Sequence, residues 1–259
     1  MPKSAVRPIG SHAILWRRSI AGMTITDTLL VLLTERRTAN MSSGAPFVHI
    51  IESPAPQDLA EDRCEARVLG EALSIAGIQH VYSLAVNRDM FRCSITNRLL
   101  HAVVRFQSLP ILHVSAHGNS EGIALTNGEQ ITWIELADLV RPLANTLEGN
   151  LIVCLSACSG AAGCRMAMER SNGHTFGVLV SNTAVVSWAD AAVAYVAFYH
   201  RLFRGSSVAE ATAAMKSASG DQNVVWFLGS AVKDEWNRWI SERQEPAVRA
   251  LQEALRVDV

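Results

Sequence analysis

From Phe47 to Leu228 the chain alternates short β-branched, apolar runs with longer stretches of helical periodicity, and nothing else in it narrows the fold so far. A strand that follows a helix returns to its sheet by a right-handed crossover. The alternation therefore predicts an α/β fold with a mostly parallel central sheet and helices on both faces. Phe47–Ile51 is the first predicted strand, Ile78–Val86 the second, Pro110–Ala116 the third, Leu151–Leu155 the fourth, Thr175–Ser181 the fifth and Val224–Leu228 the last. Between the first two, Asp58 and Glu61 have the N-cap and N3 spacing of a helix running to about Ala76 and closed by Gly77. Further helices are predicted from Asp89 to Phe106, up to Leu147, near Cys164–Arg170, from Ala189 to Arg204, and from a Ser207–Glu210 capping box to Ser219. The Ala189–Arg204 stretch is apolar on nearly every side, the pattern of a buried helix. Asn127-Gly128, between Gly122–Leu125 and Gln130–Trp133, marks a small hairpin. At the carboxyl end one helix carries Trp236, Trp239 and Ile240 on a face to about Arg243, and Pro246 starts another.

The regular pattern begins only after Thr38–Pro46, a linker rich in Ser, Asn and Gly. This divides the chain into a leader of residues 1–45, a domain of residues 46–231 and carboxyl-terminal helices of residues 232–259 packed on it. With 49% hydrophobic and 18% charged residues the composition is globular, neither disordered nor collagen-like. A net charge of −1 gives no whole-protein field favouring nucleic acid or an anionic membrane. The near-neutral sum hides an asymmetry, because the leader carries Lys3, Arg7, Arg17, Arg18, Arg36 and Arg37 against Asp27 and Glu35, net +4. Two readings of the leader stay open: a solvated, partly disordered basic arm, or a helical arm around Ile25–Leu33. Five irregularly spaced cysteines, Cys64, Cys93, Cys154, Cys158 and Cys164, argue for free thiols in a reducing compartment. The expected location is the cytoplasm, since no apolar stretch has the length of a signal core or a membrane span.

Open parallel sheets gather ligands and catalytic groups at the carboxyl ends of their strands. His117-Gly118 follows the third predicted strand, and Cys158-Ser159-Gly160 follows the fourth. The two residues are 41 positions apart with a hairpin and a helix between them, a connection that can make the strands neighbours. An imidazole and a thiol would then face each other across one cleft. A cysteine attacks as thiolate, and with an ordinary pKa of about 8.5 it needs a base or a positive dipole nearby at neutral pH. His117 would be that base, and a helix start predicted in Ser159–Met168 would add the dipole. Gly118 and Gly160 allow close approach of the backbone, so the amides of Gly118 and Cys158 are the candidate oxyanion donors. A lone cysteine at a strand end more often serves packing. The conjunction of both motifs, in order and on equal strands, is what favours chemistry.

The segments Leu112-His113-Val114-Ser115-Ala116-His117-Gly118 and Leu155-Ser156-Ala157-Cys158-Ser159-Gly160 resemble the caspase-like cysteine peptidase superfamily (clan CD), most closely its CHAT branch. Val185–Asp190 and the later Phe198-Tyr199, Leu202, Gly205 and Ser207–Ala211 are also similar to the CHAT pattern, so the resemblance covers residues 46–231. It implies a three-layer caspase-like sandwich and peptide-bond cleavage by a Cys–His dyad. His117 would be the general acid/base and Cys158 the nucleophile, with no cofactor. Caspases have Gln two positions before the cysteine, and legumain-like and metacaspase relatives have an acid there. Here the position is Ser156. Ser156, Ser115 and Asp190 are therefore the candidate substrate-binding residues, Asp190 being equally readable as a helix N-terminal carboxylate. The implied partners are a protein or peptide substrate and an activating protein or ligand, without nucleic acid or membrane.

Other chemistries fit less well. A zinc site drawn from His113, His117, Cys154, Cys158 and Cys164 fails because residues four apart on a strand are separated by about 13 Å. His113 and Cys154 read as strand-interior core, and no glycine-rich phosphate loop is present. The second functional reading is a catalytically silent binding or signalling module of the same fold.

Overall fold

A computed structural model describes residues 45–168 and 173–256, with side chains to residue 243. The leader, including the Ile25–Leu33 stretch, lies outside the described residues. Strands β1 (Phe47–Ser53), β2 (His80–Leu84), β3 (Pro110–Gly118), β6 (Ile152–Ser156), β7 (Val178–Asn182) and β8 (Val224–Leu228) form one sheet in the order β2-β1-β3-β6-β7-β8. The pairs from β2 to β7 are parallel, as the alternation predicts, whereas β8 runs antiparallel to β7. Beyond its parallel partners β3 continues into an antiparallel ribbon with β4 (Gly122–Ala124), which pairs β5 (Gln130–Thr132) through the expected Asn-Gly hairpin.

Helices sit on both sides of this sheet, for a reason visible in the strands' period of two. Phe47 and Ile51 of β1, Leu112, Val114 and Ala116 of β3, and Val153 and Leu155 of β6 face one core. It is closed by α3 (Arg88–Cys93), a π turn (Ser94–Arg98), α4 (Leu99–Phe106) and α5 (Trp133–Thr146). The intervening residues Val48, Ile50, Ile111, Cys154 and Val180 face a second core against α2 (Glu65–Ile75), α7 (Trp188–Leu202) and α8 (Val208–Ser219). Near-continuous apolar strands are what a sheet covered on both faces requires.

Local signals account for several boundaries. Ser207 and Glu210 form the expected reciprocal capping box of α8. Gly77, at φ +70°, lets the Ile78 amide donate to Leu73 and its own amide to Ser74, closing α2 in a Schellman turn. Elsewhere the expectations need correction. The single helix expected from Asp58 to Ala76 is two, α1 (Pro56–Ala60) and α2, separated by Asp62 in the left-handed region. Cys64 occupies the N-cap of α2 without a side-chain capping hydrogen bond, and the Ala66 amide is met instead by the Glu52 carboxylate at the end of β1. After Cys158 the chain forms a 3₁₀ turn (Gly160–Cys164) and one α turn, α6 (Arg165–Met168), so the dipole of a full helix is not available there. The two expected carboxyl-terminal helices are one, α9 (Gly229–Arg256), which crosses the domain boundary drawn at residue 231 and continues past Pro246. Trp236 and Trp239 stack on each other at 4.9 Å, with the Arg243 guanidinium over Trp239, which is 39% exposed.

The α7 helix is also less buried than its composition suggests. Ala191, Ala194, Tyr195, Phe198 and Tyr199 face the sheet, but Val193 is 47% exposed. Phe198→Ala is therefore expected to destabilise the fold by about 3–5 kcal/mol and Val193→Ala by under about 0.5 kcal/mol in urea unfolding. Equal losses would mean that α7 is enclosed on all sides.

Candidate active site

The connection from β1 leads outward to β2, and the chain then crosses back to place β3 on the other side of β1. This reversal of direction opens a crevice at the carboxyl ends of β1 and β3. In the parallel pairing of β3 with β6, Ser115 is opposite Ser156. His117 lies two positions further along β3, on the strand face that carries α2 and α7, and Cys158 lies two positions past Ser156 in the turn that follows β6. His117 is nearly half exposed and Cys158 partly exposed.

A residue read from the sequence as a helix cap completes the arrangement. Asp58, in α1 just after β1, accepts a hydrogen bond from His117 Nε2 at 2.7 Å. Its carboxylate is buried and also meets Arg63, whose Nε is 3.1 Å and Nη2 3.0 Å from Oδ1. Burial by itself would raise the Asp58 pKa. The hydrogen bonds from His117 and Trp188 and the positive charge of Arg63 outweigh it, and the carboxyl is held below the usual range. A carboxylate only accepts, so Nε2 carries the shared proton, which leaves the lone pair of the neutral imidazole on Nδ1.

The loop from β7 to α7 touches both members of the pair. The Cys158 thiol donates to the Val186 carbonyl at 3.8 Å, and the Trp188 ring meets His117 edge-on at 5.1 Å. The Ser159 amide donates to Ala184 in the same loop, with Ser159 itself at φ +53°. The Gly160 amide donates to Ala157, while the Cys158 amide has no backbone acceptor among the described residues. Gly118 must lack a side chain, because a Cβ there would stand 2.9 Å from both Ala157 Cβ and the Cys158 carbonyl oxygen. The two backbones that carry the candidate oxyanion donors are thus pressed together.

The other predicted contacts lie elsewhere. Ser115 and Ser156 are fully buried, so neither is on the wall of the crevice. Ser115 Oγ donates to Glu65 Oε2 at 2.6 Å, and Ser156 lies near the same carboxyl without a hydrogen bond of normal geometry. Both serines are packed beneath His117 and Cys158 because side chains on alternate positions of one strand share a face, and α2 covers that face below His117. Asp190 is exposed in the first turn of α7, where its amide donates to Ser187 Oγ and its carboxylate accepts from the same hydroxyl at 2.7 Å. Capping accounts for it. Of the remaining thiols, burial pushes Cys154 up to about 12 and also raises Cys64 and Cys164, which disfavours them as nucleophiles. His113, buried with Nδ1 3.0 Å from the Tyr199 hydroxyl and its ring edge-on to Tyr195, is lowered to about 3 by burial. Among the described residues, no three His, Cys, Asp or Glu side chains are grouped to hold a metal ion.

No protein-family model matches the chain, and no curated protein matches it.

Glu65 is the buried acid beneath the site, and burial raises its carboxyl from 4.5 to about 7. The unfolded chain releases this proton near pH 4.5 and the folded chain near pH 7, so between these values the folded state binds more protons. The contribution of Glu65 to stability should therefore fall as pH rises from about 4.5 to about 7, opposite in sign to that of the buried His49 and His113, so the difference in thermal stability between wild type and Glu65→Gln should change across that range. A difference that stays constant with pH would refute the assignment.

Proposed function

We propose that this chain is a cysteine endopeptidase of the caspase-like, CHAT type, in which Cys158 attacks the peptide carbonyl and His117 moves the proton. One observation carries this reading. Neighbouring parallel strands are paired up to Ser115 and Ser156, two positions before His117 and Cys158, and His117 is tied to the buried carboxylate of Asp58. The mixed, mostly parallel sheet with a core on each face is compatible with the three-layer sandwich that the resemblance implies.

In the proposed reaction His117 Nδ1 takes the thiol proton as Cys158 Sγ bonds to the carbonyl carbon. The oxyanion is met by the amides of Gly118 and Cys158. His117 then gives its proton to the departing amine, and a water, deprotonated by the same imidazole, releases the acyl group from sulfur. Asp58 is a positioning residue: it fixes the tautomer and stabilises the imidazolium that forms. Protein or peptide substrates follow from this reading, as does control by an activating protein or ligand. No helix among the described residues is long and apolar enough to cross a membrane.

The second reading, a non-cleaving module, draws support from the Cys158 thiol, which donates to a carbonyl oxygen and so has a partner suited to its protonated form. Activity separates the two. Cys158→Ala and His117→Ala should each abolish cleavage of a peptide library with thermal stability near wild type, and Asp58→Asn should lower kcat at least about tenfold with KM little changed. Full activity in both dyad variants would overturn the assignment. A Cys158 no more reactive toward iodoacetamide than a model thiol would favour the silent module.

A further inference from the structure

His117 is the exposed member of its hydrogen-bonded pair. Its side chain is 45% exposed against 10% for Asp58, and among the described residues the imidazole's one hydrogen bond runs from Nε2 to that carboxylate. An exposed ring held at one atom turns about its side-chain torsions within picoseconds to nanoseconds. Two changes would remove the base at Nδ1. One is a half-turn of the ring, which exchanges carbon and nitrogen along each edge, and the other is transfer of the proton from Nε2 to Nδ1. Asp58 opposes both only while its carboxylate stays ionised and aimed at Nε2.

Trp188 stands where it can serve both ends. It is the first residue of α7, and the helix start is fixed by Ser187, whose hydroxyl accepts from the Asp190 amide. The partly buried indole lies edge-on to the imidazole, with ring centroids 5.1 Å apart and planes at 74°. Rings at that spacing and tilt attract each other, and a bulky neighbour on one side limits how far the imidazole can turn. The indole N–H is also a donor to Asp58, whose Oδ1 is met by Arg63 and Oδ2 by His117. A carboxylate with fixed donors besides the imidazole is held ionised and in one orientation. Tryptophan suits both tasks, since it joins a broad ring to one N–H and has no acceptor that could compete for the Nε2 proton.

We infer that Trp188 is a positioning residue for His117, which for its effect on rate rests on the peptidase reading: the ring limits turning of the imidazole, and the N–H keeps the Asp58 carboxylate aimed at Nε2. Nitrogen-15 NMR of histidine-labelled protein, above the pH range in which imidazole titrates, tests this without any substrate. In the wild type His117 should be a single Nε2–H tautomer. Trp188→Ala should give a mixture with the Nδ1–H tautomer, and Trp188→Phe, which keeps a ring but no N–H, should fall in between. The phenylalanine variant carries the comparison by itself if the alanine variant does not fold. In peptide cleavage Trp188→Ala should lower kcat at least about tenfold and change KM by less than about twofold. One tautomer persisting in every folded variant would overturn the inference, as would a raised KM at unchanged kcat, which would make the ring a substrate contact. A wild-type protein that cuts no peptide defeats the peptidase reading alone, and the tautomer measurement then decides the role of Trp188.

Discussion

The parallel pairing of β3 with β6 is the constraint on which the candidate site depends. Side chains along a strand alternate between faces, so the Ser115 to Ser156 register settles which residues emerge together at the strand ends. A slip of one position on either strand would turn one of the two groups toward the opposite core. That register is held by burial on both faces: Val114 and Leu155 point into one core and Ile111 and Cys154 into the other. The hydrophobic interior thus fixes the strand ends from which His117 and Cys158 follow without making a direct bond to either.

A second layer of organisation is polar and buried. Glu52 accepts from the Ala66 amide and from the Tyr82 hydroxyl at 2.7 Å, and so ties β1, β2 and the start of α2 together. Burial raises its pKa despite those bonds. Glu65, the first residue of α2, takes the Ser115 hydroxyl and has His113 Nε2 4.0 Å from its other oxygen. Such a group is stable without solvent only where most of its lone pairs are met. Here Glu65 Oε1, His113 Nε2 and Ser156 Oγ have no hydrogen-bond partner of normal geometry. The floor of the crevice is therefore the least well satisfied part of an otherwise close-packed interior.

The strands and the hairpin were legible in the sequence because each rests on a local pattern: apolar runs and an Asn-Gly turn. Asp58 was not. Its spacing to Glu61 imitates a helix cap, and its real partner, His117, is 59 residues away, a relation that no local window contains. Glu65 reads as an ordinary first-turn acid of a surface helix, and only the packing of α2 onto β3 makes it buried. Ser115 and Ser156 failed as surface contacts for the same reason. In α7 the error ran the other way, since alanine and valine on an exposed face look no different in sequence from those in a core.

His117 belongs to a strand residue paired with Ala124 of β4, directly beyond the register that β3 shares with β6. Cys158 has no such anchorage: β6 ends at Ser156, and the thiol sits in a turn latched by the Ser159 amide to the loop before α7. The two groups accordingly belong to different dynamic classes. The imidazole can change place only by turning about its own side-chain bonds, on a picosecond-to-nanosecond scale, whereas the thiol can be carried by its loop over nanoseconds to microseconds. A displacement of the stretch from Thr183 to Ser187 would therefore be passed to the thiol through the Ser159 amide and the Val186 carbonyl.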